Sequence, residues 1–270
     1  MNKPFNRPVQ PIRPAATVIV VREAQPELPV QDAYAAQREE GGYEIFMLKR
    51  TSKASFASGM YVFPGGRVDG DDHLHKYDAH REGPSTAQAA QVQALGDEWR
   101  GYWIAAIRET FEEAGLMLAY NAQGELLSYS DAAVAQRMAA YRDPLHDGAV
   151  SLLEICQRER LRLAVDQIHF YNRFVTPFGR PRRFDTRFFI ASAPETQRGS
   201  HDQTETVAST WITPQQALTR HHEGALELMN VTRIQLEWLS RFSSKAALLE
   251  FAEQQQTFTV KRPVVPRDAS

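Results

Sequence analysis

One stretch constrains this chain more than any other: Arg108-Glu109-Thr110-Phe111-Glu112-Glu113-Ala114-Gly115-Leu116. At about 100° per residue, a helix gathers Glu109, Glu112 and Glu113 into an arc of about 100°. Trp103, Ile104, Ile107, Phe111 and Ala114 fall in a second arc of similar width, roughly opposite the first. One face is therefore suited to a core while the other collects three carboxylates. Gly115 stands where a left-handed residue would end the helix. Like charges on adjacent turns repel, so the cluster calls for a cation. Oxygen donors alone suit a hard ion such as Mg²⁺ or Mn²⁺ rather than zinc. An isolated E-x-x-E-E would read better as a solvated acidic face.

A second feature lies upstream, the turn Phe63-Pro64-Gly65-Gly66. Its glycines lack Cβ, so the backbone can turn sharply and approach a ligand closely. Turn and helix together resemble the Nudix box, G-x5-E-x7-R-E-U-x-E-E-x-G-U, in which U is a bulky aliphatic residue. Gly66 takes the first position, and Arg108 to Leu116 the last nine. Three departures stand out. Asp72 occupies the isolated Glu position, Thr110 an aliphatic one, and residues 73 to 107 fill the place of seven. An insertion there is similar to that of the acyl-CoA diphosphatase branch. The likeness continues in Val62 to Gly66, Ala106 to Glu109 and Arg182 to Phe189, and covers about 14 to 242.

The resemblance implies an α/β fold, a Nudix α/β/α sandwich around a mixed sheet with extra helices inserted. The acidic helix would pack on one side and a helix from Pro214 on the other. It assigns Glu109, Glu112 and Glu113, with the Gly66 carbonyl, to Mg²⁺ or Mn²⁺. Glu112, Glu113 or Glu205 would act as base, and Arg108 would hold a carboxylate by a bidentate pair. The implied reaction is hydrolysis of a nucleoside diphosphate derivative, with CoA or acyl-CoA giving 3′,5′-ADP and (acyl-)phosphopantetheine. Alternatives are ADP-ribose, NADH or dinucleoside polyphosphates as substrates, and a non-catalytic nucleotide sensor. The CoA-associated upstream motif is partly echoed by Leu48-Lys49-Arg50-Thr51-Ser52 and Gly59, with Ser55 where an arginine is expected. Arg50, Arg180, Arg182 and Arg183 are candidate substrate ligands, because guanidinium forks match phosphate oxygens.

Composition narrows the partners. A net charge of −2 supplies no bulk attraction to nucleic acid or anionic membrane, and no apolar run reaches membrane-spanning length. The single cysteine, Cys156, excludes an internal disulfide framework and reads as a core residue in a reducing compartment. Arg267-Asp268-Ala269-Ser270 is not a peroxisomal S-K-L type address, so the cytoplasm is expected. A small molecule is the expected partner, with a second copy of the chain also carried as a candidate.

Hydrophobic periodicity predicts strands over 15–22, 43–49, 60–63, 168–175, 184–191 and 206–213, with shorter ones over 116–120 and 125–129. Helices are expected over 98–114, 131–141, 151–159, 214–220, 230–242 and 244–254. Residues 1–13 read as an extended arm, 14–242 as the main domain with insertions near 73–97 and 130–160, and 243–270 as a helix and tail. Residues 23–42 read as a loop. The first insertion carries His73, His75 and His80, whose spacing fits no zinc pattern, so it reads as a solvated loop.

Overall fold

The computed structural model describes residues 11–25, 42–54, 56–180 and 182–263. Most of the 23–42 loop, most of the N-terminal arm and the end of the tail therefore lie outside the described residues. In chain order the strands are β1 (Ile12–Glu23), β2 (Tyr43–Arg50), β3 (Tyr61–Val62), β4 (Gly65–Arg67), β5 (Arg81–Glu82) and β6 (Ala119–Tyr120). They continue as β7 (Arg162–Ala164), β8 (Ile168–Val175), β9 (Arg183–Ser192), β10 (Thr206–Ile212) and β11 (Thr259–Lys261). The helices are α1 (Ala89–Leu95), α2 (Trp99–Ala114), α3 (Ala132–Ala139), α4 (Arg142–His146) and α5 (Leu152–Glu159). The last three are α6 (Pro214–His222), α7 (Asn230–Leu239) and α8 (Lys245–Gln254).

Alternation along β1 sets the layers, because successive side chains of a strand point to opposite faces. Ala16, Val18 and Val20 share one core with Trp103, Ile104, Ile107 and Phe111 of α2. Ile19 and Val21 share the other with Ala217 of α6, Leu236 and Leu239 of α7, and Leu248 of α8. Every one of these residues is fully buried. The result is the expected α/β/α sandwich, with the acidic helix on one side and the Pro214 helix on the other.

The large sheet runs β10-β2-β1-β9-β8-β11, with β3 added beside β2 and β4 beside β1. It is mixed: β1 pairs β9 in parallel, and β2 and β4 antiparallel. Gly65 and Gly66, expected as a turn, instead open β4 and lie against Thr17 and Ala16. A Cβ on Gly65 would overlap Ala16 and Thr17, so only glycine lets the strands approach this closely. At the other end of the acidic helix, Gly115 adopts φ 68°, the left-handed stop expected of it. Thr213 and Gln216 form a capping box that starts α6 with Pro214 in its first turn.

Several expectations are corrected. β1 begins at Ile12, so the end of the assigned arm already pairs with Arg183 and Phe184. Residues 125–129 form no strand, only an isolated bridge between Tyr120 and Leu126. α4 and β11 were not anticipated; both are too short for a periodic signal. The first insertion is not a solvated loop. It contains 3₁₀ turns, β5 and α1, and buries Tyr77, Gln88, Gln91 and Leu95. Its glutamines replace water by backbone groups. Gln88 Nε2 donates to the carbonyls of Val165 (2.9 Å) and Ile168 (3.0 Å). Gln91 Oε1 accepts from Phe170 N–H at 2.6 Å. Polar residues that bond the backbone of a neighbouring strand look the same in sequence as residues facing solvent.

Gln88→Ala, which removes two buried hydrogen bonds, should lower stability by about 1–3 kcal/mol in urea unfolding. Unchanged stability would mean that the Gln88 bonds do not hold the insertion in place.

Candidate active site

α2 delivers four charged side chains to one place because its other faces are locked into the core. Trp103 Nε1 donates to Ile168 O at 2.8 Å, fixing the helix rotation against β8. Thr110, at the aliphatic position of the box, is fully buried and donates Oγ1 to Ala106 O at 2.7 Å. Its hydroxyl is thereby satisfied within the helix, leaving the methyl to pack.

Arg108 is the hub of the charged face. Its Nε and Nη2 meet Asp72 Oδ1 and Oδ2 at 3.0 and 2.8 Å, a bidentate fork on a carboxylate that is 1% exposed. Nη2 also donates to Arg67 O at 2.8 Å, while Nη1 reaches Glu109 Oε1 at 2.8 Å and Glu112 Oε1 at 3.3 Å. Burial disfavours the guanidinium charge, but Asp72, Glu109 and Glu112 outweigh it and hold its pKa above the ordinary value. Asp72, at the isolated acidic position of the box, is thus the carboxylate that Arg108 grips with both edges of its fork. Its Oδ2 also accepts Asp69 N–H at 2.8 Å, closing the 3₁₀ turn Gly70–His73.

Glu113 is tied to the glycine strand by accepting Gly65 N–H through Oε2 at 2.8 Å. Arg50 links it to Glu205, with Nη2 at 3.1 Å from Glu205 Oε2 and Nη1 at 3.9 Å from Glu113 Oε1. The guanidinium of Arg50 is therefore engaged inside the site, with Nε donating to Phe56 O. Glu205, 45% exposed in its side chain, is far more open than Glu109, Glu112 or Glu113. Gly66 lies against the cluster: a Cβ there would stand 2.5 Å from the Glu109 carboxylate.

Burial raises the pKa of all three helix carboxylates. Glu109 is pushed to about 7, and Glu112 is also raised, because the opposing Arg108 charge does not fully offset desolvation. Glu113 is pushed well above the usual range by burial and by the adjacent Glu109. Five carboxylates (Asp72, Glu109, Glu112, Glu113, Glu205) face two guanidinium groups (Arg50, Arg108), leaving excess negative charge. Among the described residues, no three acidic, histidine or cysteine side chains form a ready cage, since Glu109 and Glu112 lean on Arg108. The donor chemistry nonetheless fits a hard divalent cation: oxygen only, anionic, and cleared of a Cβ at Gly66.

These residues floor a cleft of about 1860 Å³. Arg180 and Arg182 line its wall from the β8–β9 hairpin, and Phe184 packs there on Phe56 with ring centroids 5.7 Å apart. Arg183 does not line the cleft; its guanidinium lies over Phe178, 5.3 Å from the ring centroid. Three contributors were not anticipated. Arg13 lines the same cleft. His146 of α4 brings Nδ1 to 3.9 Å from Glu112 Oε2. Arg142 caps the C-terminal end of α2, donating to Glu112 O and Glu113 O at 3.0 Å each. A cation on the terminal carbonyls of a helix is favourable. Nothing in the spacing of Arg142 or His146 points at α2, because the contact is set by how the second insertion folds back.

A model of the NUDT19 Nudix domain matches residues 79–230, more than half of the chain. Acyl-coenzyme A diphosphatase NUDT19 of Xenopus laevis is 25% identical over 212 residues, covering 67% of this chain and 56% of that protein. The protein of the same name from Gallus gallus is 28% identical over 244 residues, covering 78% and 64%. The chain therefore spans less than two thirds of the length of these two relatives. A solved NUDIX hydrolase from Alicyclobacillus acidocaldarius shares the fold, with a TM-score of 0.67 at 23% identity over 89% of this chain and 96% of that one.

Asp72→Asn should destabilise the protein by about 2 kcal/mol, below the usual cost of breaking a buried pair because Glu109 and Glu112 still neutralise Arg108. Thermal or urea unfolding checks this, and a neutral effect would remove Asp72 from the hub. Gly66→Ala should displace the Glu109 carboxylate. The expected signature is a smaller rise in melting temperature on adding Mg²⁺ than the parent shows, with little change in the metal-free protein.

Proposed function

The chain belongs to the family of NUDT19 Nudix domains, and from that premise we propose that it is a divalent-metal-dependent diphosphatase. Its substrate in this reading is CoA or an acyl-CoA, and its products are 3′,5′-ADP and phosphopantetheine or the acylated form. The observation that carries the chemistry is the buried carboxylate face of α2, clamped by Arg108 and opening onto a cleft with arginines on its wall. The substrate class is supported by the activity named for the frog and chicken relatives.

Glu109, Glu112 and Glu113, with the Gly66 carbonyl, would hold Mg²⁺ or Mn²⁺. When bound, the cation supplies Lewis-acid neutralisation of the diphosphate and lowers the pKa of a coordinated water. The chain's own groups supply orientation and proton transfer. Water attacks one phosphorus, the bridging P–O bond breaks, and the bridging oxygen leaves on the other phosphate. Each product is then a phosphate monoester. The water proton passes to Glu113 or Glu205, the two carboxylates bridged by Arg50. Arg108 keeps the carboxylates oriented while the transferring group gains charge.

At the hairpin wall, Arg180 and Arg182 offer guanidinium forks to a phosphate outside the scissile linkage, such as the 3′-phosphate that CoA carries. The proposed compartment is the cytoplasm, in keeping with a buried, unpaired Cys156. Among the described residues, no helix is long and apolar enough to cross a membrane.

Release of 3′,5′-ADP from CoA and from an acyl-CoA should require Mg²⁺ or Mn²⁺. Glu112→Gln should lower it by about two orders of magnitude or more. Turnover of ADP-ribose, NADH or a dinucleoside polyphosphate with silence on CoA would overturn the substrate class. Silence on all of them with nucleotide binding retained would favour a sensor.

A further inference from the structure

We propose that Gly101 is a positioning residue for the metal face: its missing side chain is the notch that seats the first insertion and thereby aligns Asp72 with Arg108. The proposal rests on the reading of Glu109 and Glu112 as metal ligands and goes beyond it, because Gly101 touches neither. Gly101 and Arg108 are seven residues apart, so they lie on one face of α2, separated by about two turns or roughly 10 Å. The 3₁₀ turn Gly70–His73 lies along this face and touches it at both ends. His73 packs its ring over Gly101, and Asp72 forks onto Arg108. The two contacts come from adjacent residues, so a shift of the turn backbone away from Gly101 carries the Asp72 carboxylate with it.

The fit at Gly101 leaves no slack. A Cβ there would meet three atoms of the His73 imidazole at less than 3.0 Å. Gly101 is buried in the first turn of α2, as the third residue of the helix. Its φ is an ordinary helical one, so what requires glycine is the close approach of His73 rather than backbone conformation. The polar anchors of the 3₁₀ turn on α2 run to Arg108: the Asp72 fork, and Asp69 Oδ2 of the turn's own capping box at 3.5 Å from Arg108 Nη2. A side chain at position 101 would lift His73 and carry Asp72 out of register. Arg108 would then keep Arg67 O, Glu109 and Glu112, and its guanidinium would compete for the carboxylate oxygens that the cation needs. The insertion inside the box thus connects mechanically to the metal face.

Mn²⁺ binding to the full chain without substrate, read from the electron paramagnetic resonance signal of free Mn²⁺, tests this. Glu112→Gln should abolish tight binding in the otherwise unchanged chain; if it does not, the ligand reading fails, and the role of Gly101 toward the metal falls with it. With that control met, Gly101→Ala should weaken Mn²⁺ binding about tenfold, the scale of a lost orienting contact. His73→Ala in the same chain should open the space and return binding to within about threefold of the parent. In an Asp72→Asn background, Gly101→Ala should add no further loss, since its effect passes through Asp72. Parent-like binding by Gly101→Ala, a loss that His73→Ala does not relieve, or an additive loss with Asp72→Asn would each overturn the proposal. Should Gly101→Ala alone fail to fold, recovery of fold and binding in the double variant supports the notch, and its failure overturns it.

Discussion

Arg108 carries a permanent charge in a place where water hardly reaches, and the site is arranged around that fact. A buried guanidinium is tolerable only when its donors are matched by carboxylates in good geometry. Asp72 takes the fork, Arg67 O takes a third bond, and Glu109 and Glu112 share the remaining nitrogen. These partners come from three pieces of chain: the 3₁₀ turn, β4 and α2 itself. The single cation therefore draws the glycine strand, the first insertion and the acidic helix together. It also restrains the two glutamates beside it, and its own charge is too small to neutralise the whole cluster.

The remaining negative charge is what turns a structural ion network into a candidate metal site. Glu113 accepts Gly65 N–H through one oxygen, and Arg50 ties one oxygen of Glu205 to the rim, so each carboxylate is fixed beside the cleft. Desolvation raises the pKa of all three helix glutamates. That rise reflects the lack of a neutralising charge in the protein itself. A divalent cation supplies one, and the oxygen-only donor set selects the hard ions. Arg142 contributes from behind by capping the carbonyls of Glu112 and Glu113, which keeps the last turn of α2 from fraying under repulsion.

Legibility in the sequence followed the range of the interactions. The acidic arc, the apolar arc and the Gly115 stop are properties of one helix, and all three are found in α2. The strand over 15–22 was legible because a run of Val and Ile is a local signal, and it is found within β1. The polar insertion was misread because Gln88 and Gln91 have the same hydrophilic character whether they meet water or the backbone of β8. Gly65 and Gly66 were legible as a close approach, yet the partner approached, β1, lies some fifty residues away. Arg50, singled out for a phosphate, lines the cleft, and its bonds to Glu205 and Phe56 O depend on segments that its spacing does not name.

The sequence by itself determined the acidic and apolar arcs of the helix, which depend on residues within a few helical turns, and the box residues that mark the family. Tertiary structure alone decided that Asp72, thirty-six positions from Arg108, would be its partner. It likewise decided that His146 would stand beside Glu112, that Arg183 would turn away from the cleft, and that His73 would fill the notch of Gly101. The reason is physical. Periodicity specifies which face of an element is buried, whereas which distant loop meets that face depends on the packing of every element between them.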